Sequence, residues 1–141
     1  MKVVIIDGQG GRLGRMLVEG IIASELDCQL TVIGTNSIAT TAMLKAGAKT
    51  GATGENPVLV ACRDADVIMG PLGLLVADSL LGEITPRMAE AVGRSRAVKL
   101  LLPVNMCNNR VVGVRDLSFS ELVNCALQEL SRMLQQENGG C

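Results

Sequence analysis

The feature that most restricts this chain is its opening, Lys2-Val3-Val4-Ile5-Ile6-Asp7, which runs at once into Gly8-Gln9-Gly10-Gly11-Arg12-Leu13-Gly14. After the lysine, the stretch up to Ile6 is continuously apolar, without the alternation of a strand that faces water on one side. Such a run suits a strand covered on both faces, as in a parallel sheet. Gly11–Ser24 follows with Leu13, Leu17, Val18, Ile21 and Ile22 at spacings of three and four, which predicts a helix.

The same alternation continues along the chain. Gln29–Ile33 predicts a second strand, stopped by Gly34, and Ile38–Ala46 a helix, with Gly47 where a C-terminal capping glycine belongs. Ala48–Gly54 holds room for a short strand. Asn56-Pro57 then opens a helix through Cys62 or Ala65, although Val58–Ala61 also reads as a strand. Val67–Met69 is a buried strand ending in Gly70-Pro71, and Leu72–Leu81 is apolar and predicted helical. Thr85 and Pro86 cap and open a helix to about Val92, and Val98–Leu102 is a strand closed by Pro103. A turn over Asn105–Asn109 and a short strand over Val111–Val114 precede a helix from Ser118 or Ser120 to about Gln136. Its stripe is Leu122, Val123, Ala126, Leu127, Leu130 and Leu134. With no internal repeat or linker, the expected fold is α/β: one Rossmann-like, doubly wound, mainly parallel sheet over residues 1–136, with a flexible tail at 137–141.

Composition removes whole classes of function. The 141 residues are the length of one domain, and 48% are hydrophobic, but Phe119 is the only aromatic residue. Thirteen basic and fourteen acidic residues, without blocks of like charge, leave no footprint for nucleic acid, and the missing aromatics leave no platform for stacked bases. No apolar run reaches the roughly 20 residues of a membrane span. With Met1-Lys2 leading straight into the first strand, a cytoplasmic protein is expected. Five cysteines without a CxxC pair read as reduced thiols, not as a disulfide framework or zinc site. No histidine means no imidazole base or ligand, and no tyrosine excludes the Tyr-Lys relay of short-chain dehydrogenases. Asp, Glu, Cys and Lys are left to move a proton. No catalytic residue and no metal ligand set is singled out.

In a doubly wound sheet, ligands bind beyond the carboxyl ends of the strands, where the strand order reverses. Gly8, Gln9, Gly10, Gly11, Arg12, Leu13 and Gly14 form the first such turn and are the leading cofactor-binding candidates. Glycines let backbone amides approach a phosphate, and the following helix adds its positive end. The strict G-x-G-x-x-G spacing would need glycine at Leu13, and the chain instead has Gly8, Gly11 and Gly14 with an additional Gly10. The competing reading is that the glycines only permit a close strand–helix crossover. Asp7 would repel a phosphate unless it bonds the loop amides.

The second strand ends in Gly34, Thr35, Asn36 and Ser37, without the acid that bonds the ribose in NAD-binding folds. Small donors there, with Arg12 in reach, suit a 2′-phosphate, so NADP is expected ahead of NAD. Simple capping of the next helix explains the same residues. Gly70, Pro71, Leu72 and Gly73 are expected beside the ribose or nicotinamide, and Asn105 is available to a carboxamide or substrate. Cys107 reads as a turn residue rather than as a nucleophile. Thr53–Asn56 offers a second polar loop or a cap, and of Asp78, Glu83 and Glu90 the spacing favours none as an acid.

The "GGRLGRML" loop resembles that of dihydrodipicolinate reductases, and its glycine spacing resembles that of atypical short-chain dehydrogenases. From Met1 to about Leu134, through "GTNSIATTAMLKAGA", "ATGEN" and "GPLGLLVADSLLGEITP", the chain resembles a short, uncharacterised bacterial family of Rossmann-like proteins. That resemblance implies the fold and a recurring set of loops at 34–40, 51–56 and 70–86, and assigns no catalytic residue. The expected function is a dinucleotide-binding module that acts as a nucleotide-responsive binding protein. The alternatives are a small NAD(P)-dependent oxidoreductase completed by another subunit, and an oligomeric scaffold with no nucleotide. Another phosphate-bearing small molecule, such as a nucleoside phosphate or coenzyme A, remains open. The apolar Leu72–Leu81 stretch makes a homo-oligomer the expectation.

Overall fold

Val3 and Ile5 point to one face of the first strand, Val4 and Ile6 to the other, and all four are buried. Burying such a side chain contributes about 1.5–3 kcal/mol, so both faces of this strand are committed to a core. The computed structural model describes residues 1–104 and 107–139. Its elements, in chain order, are β1 (Lys2–Asp7), α1 (Arg12–Ala23), β2 (Gln29–Gly34), α2 (Ser37–Lys45), β3 (Gly51–Thr53), α3 (Glu55–Ala61), β4 (Val67–Pro71), α4 (Pro86–Arg94), β5 (Val98–Leu102) and α5 (Phe119–Gly139). The strands form one all-parallel sheet of order β3-β2-β1-β4-β5. This is the expected Rossmann-like, doubly wound fold. The order reverses at β1, between β2 and β4, so the crevice opens beside the Gly8–Gly14 turn.

Each sheet face has its own core. Leu13, Leu17, Val18 and Ile21 of α1 and Val123, Ala126, Leu130 and Leu134 of α5 cover the Val3/Ile5 face, with Met43 of α2 among them. Val58 of α3 and Met88 and Val92 of α4 cover the Val4/Ile6 face, joined by Leu74, Leu80 and Ile84 from the connection before α4. Among the described residues, no helix is long and apolar enough to cross a membrane.

Three readings of the sequence need correction. Leu72–Leu81 is not a helix: only Leu72–Leu75 makes a single 3-10 turn, and Asp78, Leu80 and Leu81 take left-handed φ of 67°, 56° and 56°. The chain folds back on itself instead, with the Asp78 amide bonded to the Ile84 carbonyl at 2.7 Å. Its apolar residues divide accordingly, Leu74 and Leu80 going into the core and Leu81 being 96% exposed. Val111–Val114 is not a strand: among the described residues no strand lies alongside it, and all three valines are exposed, Val112 to 97%. The last helix runs to Gly139, past the predicted end at Gln136. The ambiguous stretch resolves as the strand β3 followed by the helix α3.

Candidate functional site

At the end of β1 the chain turns through Gly8–Gly11 into α1, and Asp7 controls that turn. Its carboxylate is buried and accepts the Gly8 amide at 2.8 Å and the Gly14 amide at 2.7 Å. Burial raises the Asp7 pKa above the usual carboxylate value, the loop amides pull against that rise, and the nearby Glu83 charge adds to it. The acid that stood as an obstacle to phosphate is thus turned inward onto the amides of its own loop.

The four loop glycines have different reasons to be glycine. A Cβ on Gly14 would run into the buried Met43 side chain and lie 3.0 Å from the Asp7 Cβ. Gly11 has φ 74° and sits against the backbone of Ala39, where an added Cβ would fall 2.7 Å from its Cα. At Gly8 it would meet the Thr35 hydroxyl at 2.6 Å and Leu80 at 2.7 Å. Gly10 alone of the four is open: nothing stands within 4 Å of a Cβ placed there. No hydrogen bond from the Gly10 or Arg12 amide to a described residue is present, whereas the Gly11 amide is held by the Gly8 carbonyl at 2.9 Å.

Above this loop sits Glu83. Its Oε1 accepts the Asn36 Nδ2 hydrogen bond at 2.6 Å and the Thr35 hydroxyl at 2.7 Å, and the Gln9 amide reaches both carboxylate oxygens, at 3.1 and 3.2 Å. Burial alone would raise its pKa, but the bonds from Thr35, Asn36 and Gln9 outweigh that and hold it below the usual glutamate value. Asn36 does two jobs at once: its Oδ1 caps α2 through the Ala39 amide at 2.9 Å, and its Nδ2 also reaches the Gln9 carbonyl at 3.0 Å. Behind them Thr40 and Thr53 share a hydroxyl contact at 2.7 Å, and Glu55 accepts the Thr85 hydroxyl at 2.6 Å.

The structure therefore brings Gln9, Thr35 and Asn36 together around one carboxylate, and leaves other candidates apart. Arg12 lies over the Phe119 ring, 4.5 Å from its centroid, and not among the residues at the end of β2. Ser37 is exposed on the wall of a cavity of about 590 Å³ between α1 and α2, with Arg15, Ile38 and Lys45. Gly34 ends β2 opposite Asp7 and Thr53. Gly70 and Pro71 are the last residues of β4, Leu72 begins the 3-10 turn, and the Gly73 carbonyl accepts the Ser79 hydroxyl. It is Leu80 and Glu83, further along the same connection, that reach the glycine loop. Leu13 is buried in the α1 core. Asn105 lies outside the described residues, and Cys107 is exposed. Among the described residues, no group of three or more His, Cys, Asp or Glu side chains is placed to hold a metal ion.

Glu83 was one of three acids that the sequence left undistinguished. Nothing local ties it to Thr35, since the contact spans 48 residues and is made by a turn whose left-handed residues carry no glycine signature before Gly82.

A family model described as a domain of unknown function (DUF3842) matches residues 2–135. The chain belongs to this family. The expectation of an uncharacterised family over nearly the whole chain is met by that match. No curated protein matches the chain. Among solved structures, a dodecameric FMN-dependent UbiX-like decarboxylase from Escherichia coli O157:H7 is similar at 15% identity, covering 92% of this chain and 76% of its own, with a TM-score of 0.44.

Proposed function

We propose that this DUF3842 chain is a nucleotide-binding module that holds phosphate oxygens on the Gly10 and Arg12 amides at the entry of α1. The observation behind this reading is Gly10. Packing accounts for glycine at positions 8, 11 and 14, but at position 10 it leaves open space and an amide without a partner among the described residues. An open glycine at the ligand edge of the first strand–helix turn is what close approach of a phosphate requires. The likeness of the loop to that of dihydrodipicolinate reductases supports the same reading, and a dinucleotide, NADP or NAD, is the class of ligand it favours.

Binding rather than turnover is the activity favoured. The carboxyl groups at the crevice, Asp7 and Glu83, are both engaged in accepting hydrogen bonds from the loops around them. They order the site, Asp7 with both of its oxygens and Glu83 chiefly with Oε1. Self-association belongs to this reading too, and rests on the exposed Leu81 rather than on an apolar helix.

Calorimetric titration with NADPH, NADH, ATP and coenzyme A tests the proposal, with wild type and Gly10→Asp side by side. The expected result is micromolar binding of at least one nucleotide by the wild type and its loss in a Gly10→Asp protein of unchanged Tm. Absence of heat from all four, or unchanged affinity in the folded variant, overturns it.

A further inference from the structure

In dinucleotide-binding folds a carboxylate at the end of the second strand bonds the ribose 2′-hydroxyl. Here β2 ends at Gly34 and runs into Thr35-Asn36, with no acid of its own. The connection between β4 and α4 delivers one. Ser79 bonded to the Gly73 carbonyl, Asp78 bonded to Ile84 and Leu80 packed against Gly8 hold the turn that carries Glu83 to Thr35 and Asn36. Resting on the cradle proposed above, we infer that Glu83 serves as the ribose-binding acid of this crevice and restricts its ligand to nucleotides with a free ribose 2′,3′-diol, excluding a 2′-phosphate.

The geometry of the carboxylate supports this assignment. Oε1 carries the bonds from Thr35 and Asn36, whereas Oε2 has only the shared Gln9 amide at 3.2 Å among the described residues. A carboxylate oxygen has two acceptor positions, so Oε2 retains capacity for a ribose hydroxyl. Thr35 and Asn36 are spent on orienting the acid and on capping α2, so they are not the free donors that a 2′-phosphate would need. Their bonds also keep Glu83 ionised at neutral pH. A 2′-phosphate would bring like charge against that carboxylate. Arg12, the cation expected to neutralise it, is stacked on Phe119.

The test compares NAD⁺ with NADP⁺ by calorimetry on the full chain, in wild type, Glu83→Gln and Glu83→Asp. The wild type is expected to bind NAD⁺ at least about tenfold more tightly than NADP⁺, one decade being the scale of a single lost or repelled polar contact. Glu83→Gln should weaken NAD⁺ and bring the two affinities together. Glu83→Asp keeps the charge and should keep the preference. Equal or tighter binding of NADP⁺ by the wild type overturns the inference and leaves the phosphate cradle standing. An unchanged ratio in folded Glu83→Gln does the same, because Glu83 would then only pin its own turn. Silence of both ligands, together with ATP and coenzyme A, removes the cradle itself and the inference with it. The wild-type ratio alone decides the matter where a variant fails to fold.

Discussion

The Oδ2 atom of Asp7 accepts the Gly14 amide at 2.7 Å, tying the last residue of β1 to the first turn of α1 across the whole glycine loop. Together with the Gly8 bond, this makes the carboxylate an internal clasp for a loop that the notion of a phosphate cradle would leave empty. The proposed cradle is consequently narrower than the glycine spacing suggests: it would centre on Gly10 and Arg12, because Asp7 already uses Gly8 and Gly14.

A pH experiment follows from the burial of Asp7. Its folded pKa is raised, mainly by desolvation, so between the unfolded and folded values the native state binds the proton more readily than the unfolded one. Its contribution to stability therefore grows as pH falls from neutrality through the folded pKa, and is lost as pH rises through it. Asp7→Asn removes this titration and turns an N–H group toward one of the two amides, costing about 1–3 kcal/mol at pH 7. Urea denaturation at pH 7 and pH 4.5 should show the gap between wild type and Asp7→Asn widening at the lower pH. A narrowing gap would mean that the folded pKa lies below the unfolded one.

The loop glycines should separate cleanly in stability. Gly11→Ala forces a left-handed φ on alanine and drives its Cβ into the Ala39 backbone, which has no side chain to move aside. A loss of about 2–4 kcal/mol is expected, from roughly 1–2 for the left-handed conformation and the remainder from overpacking. Gly10→Ala meets nothing and should stay within about 0.5 kcal/mol of wild type. Thermal unfolding of the two variants measures this directly. A large loss at Gly10 would give that glycine a packing role and remove the reason to see a ligand there.

How much of this was readable in the sequence depends on whether the signal is local. The β1–α1 unit was legible because an apolar run, a glycine turn and a 3.6-residue stripe each state their structure within a few residues. The Thr85-Pro86 start of α4 was legible for the same reason, and the Thr85 hydroxyl does accept the Met88 amide at 3.1 Å. Leu72–Leu81 was not, because its leucines serve separate purposes, Leu74 and Leu80 as core plugs and Leu81 as an exposed turn residue. Val111–Val114 has the composition of a strand but no neighbour among the described residues to pair with, and composition says nothing about partners. The central part of the site, Glu83 on Thr35 and Asn36, joins two loops through space. No spacing rule along the chain marks that meeting.

Arg12 offers a direct check on the expected NADP preference. The guanidinium lies 4.5 Å from the Phe119 centroid, joining the entry of α1 to the entry of α5. At this exposed position the contact contributes about 0.5–1 kcal/mol, and Arg12→Ala should lose that much in chemical denaturation. Affinity for any NADP⁺ that binds should hardly change, because the side chain serves α5 and not the end of β2. A tenfold or larger loss of NADP⁺ binding in Arg12→Ala would return the guanidinium to the ligand.

The cysteines should react in an order set by burial. Cys62 is buried and its thiol is pushed up to about 11 by desolvation, a shift that Lys99 only partly offsets. At pH 8 about one Cys62 thiol in a thousand is ionised, and the thiolate is the species that attacks a disulfide reagent. Cys28 is intermediate in exposure and also raised by burial, while Cys107 and Cys125 are exposed. Titration of the native protein with an aromatic disulfide at pH 8, followed by peptide mapping, should find Cys107 and Cys125 modified ahead of Cys28 and Cys62. Cys62 should be modified only when denaturant opens the α3–α4 side of the sheet. Early modification of Cys62 would show that this face opens far more readily than the packing of Val58, Met88 and Val92 allows.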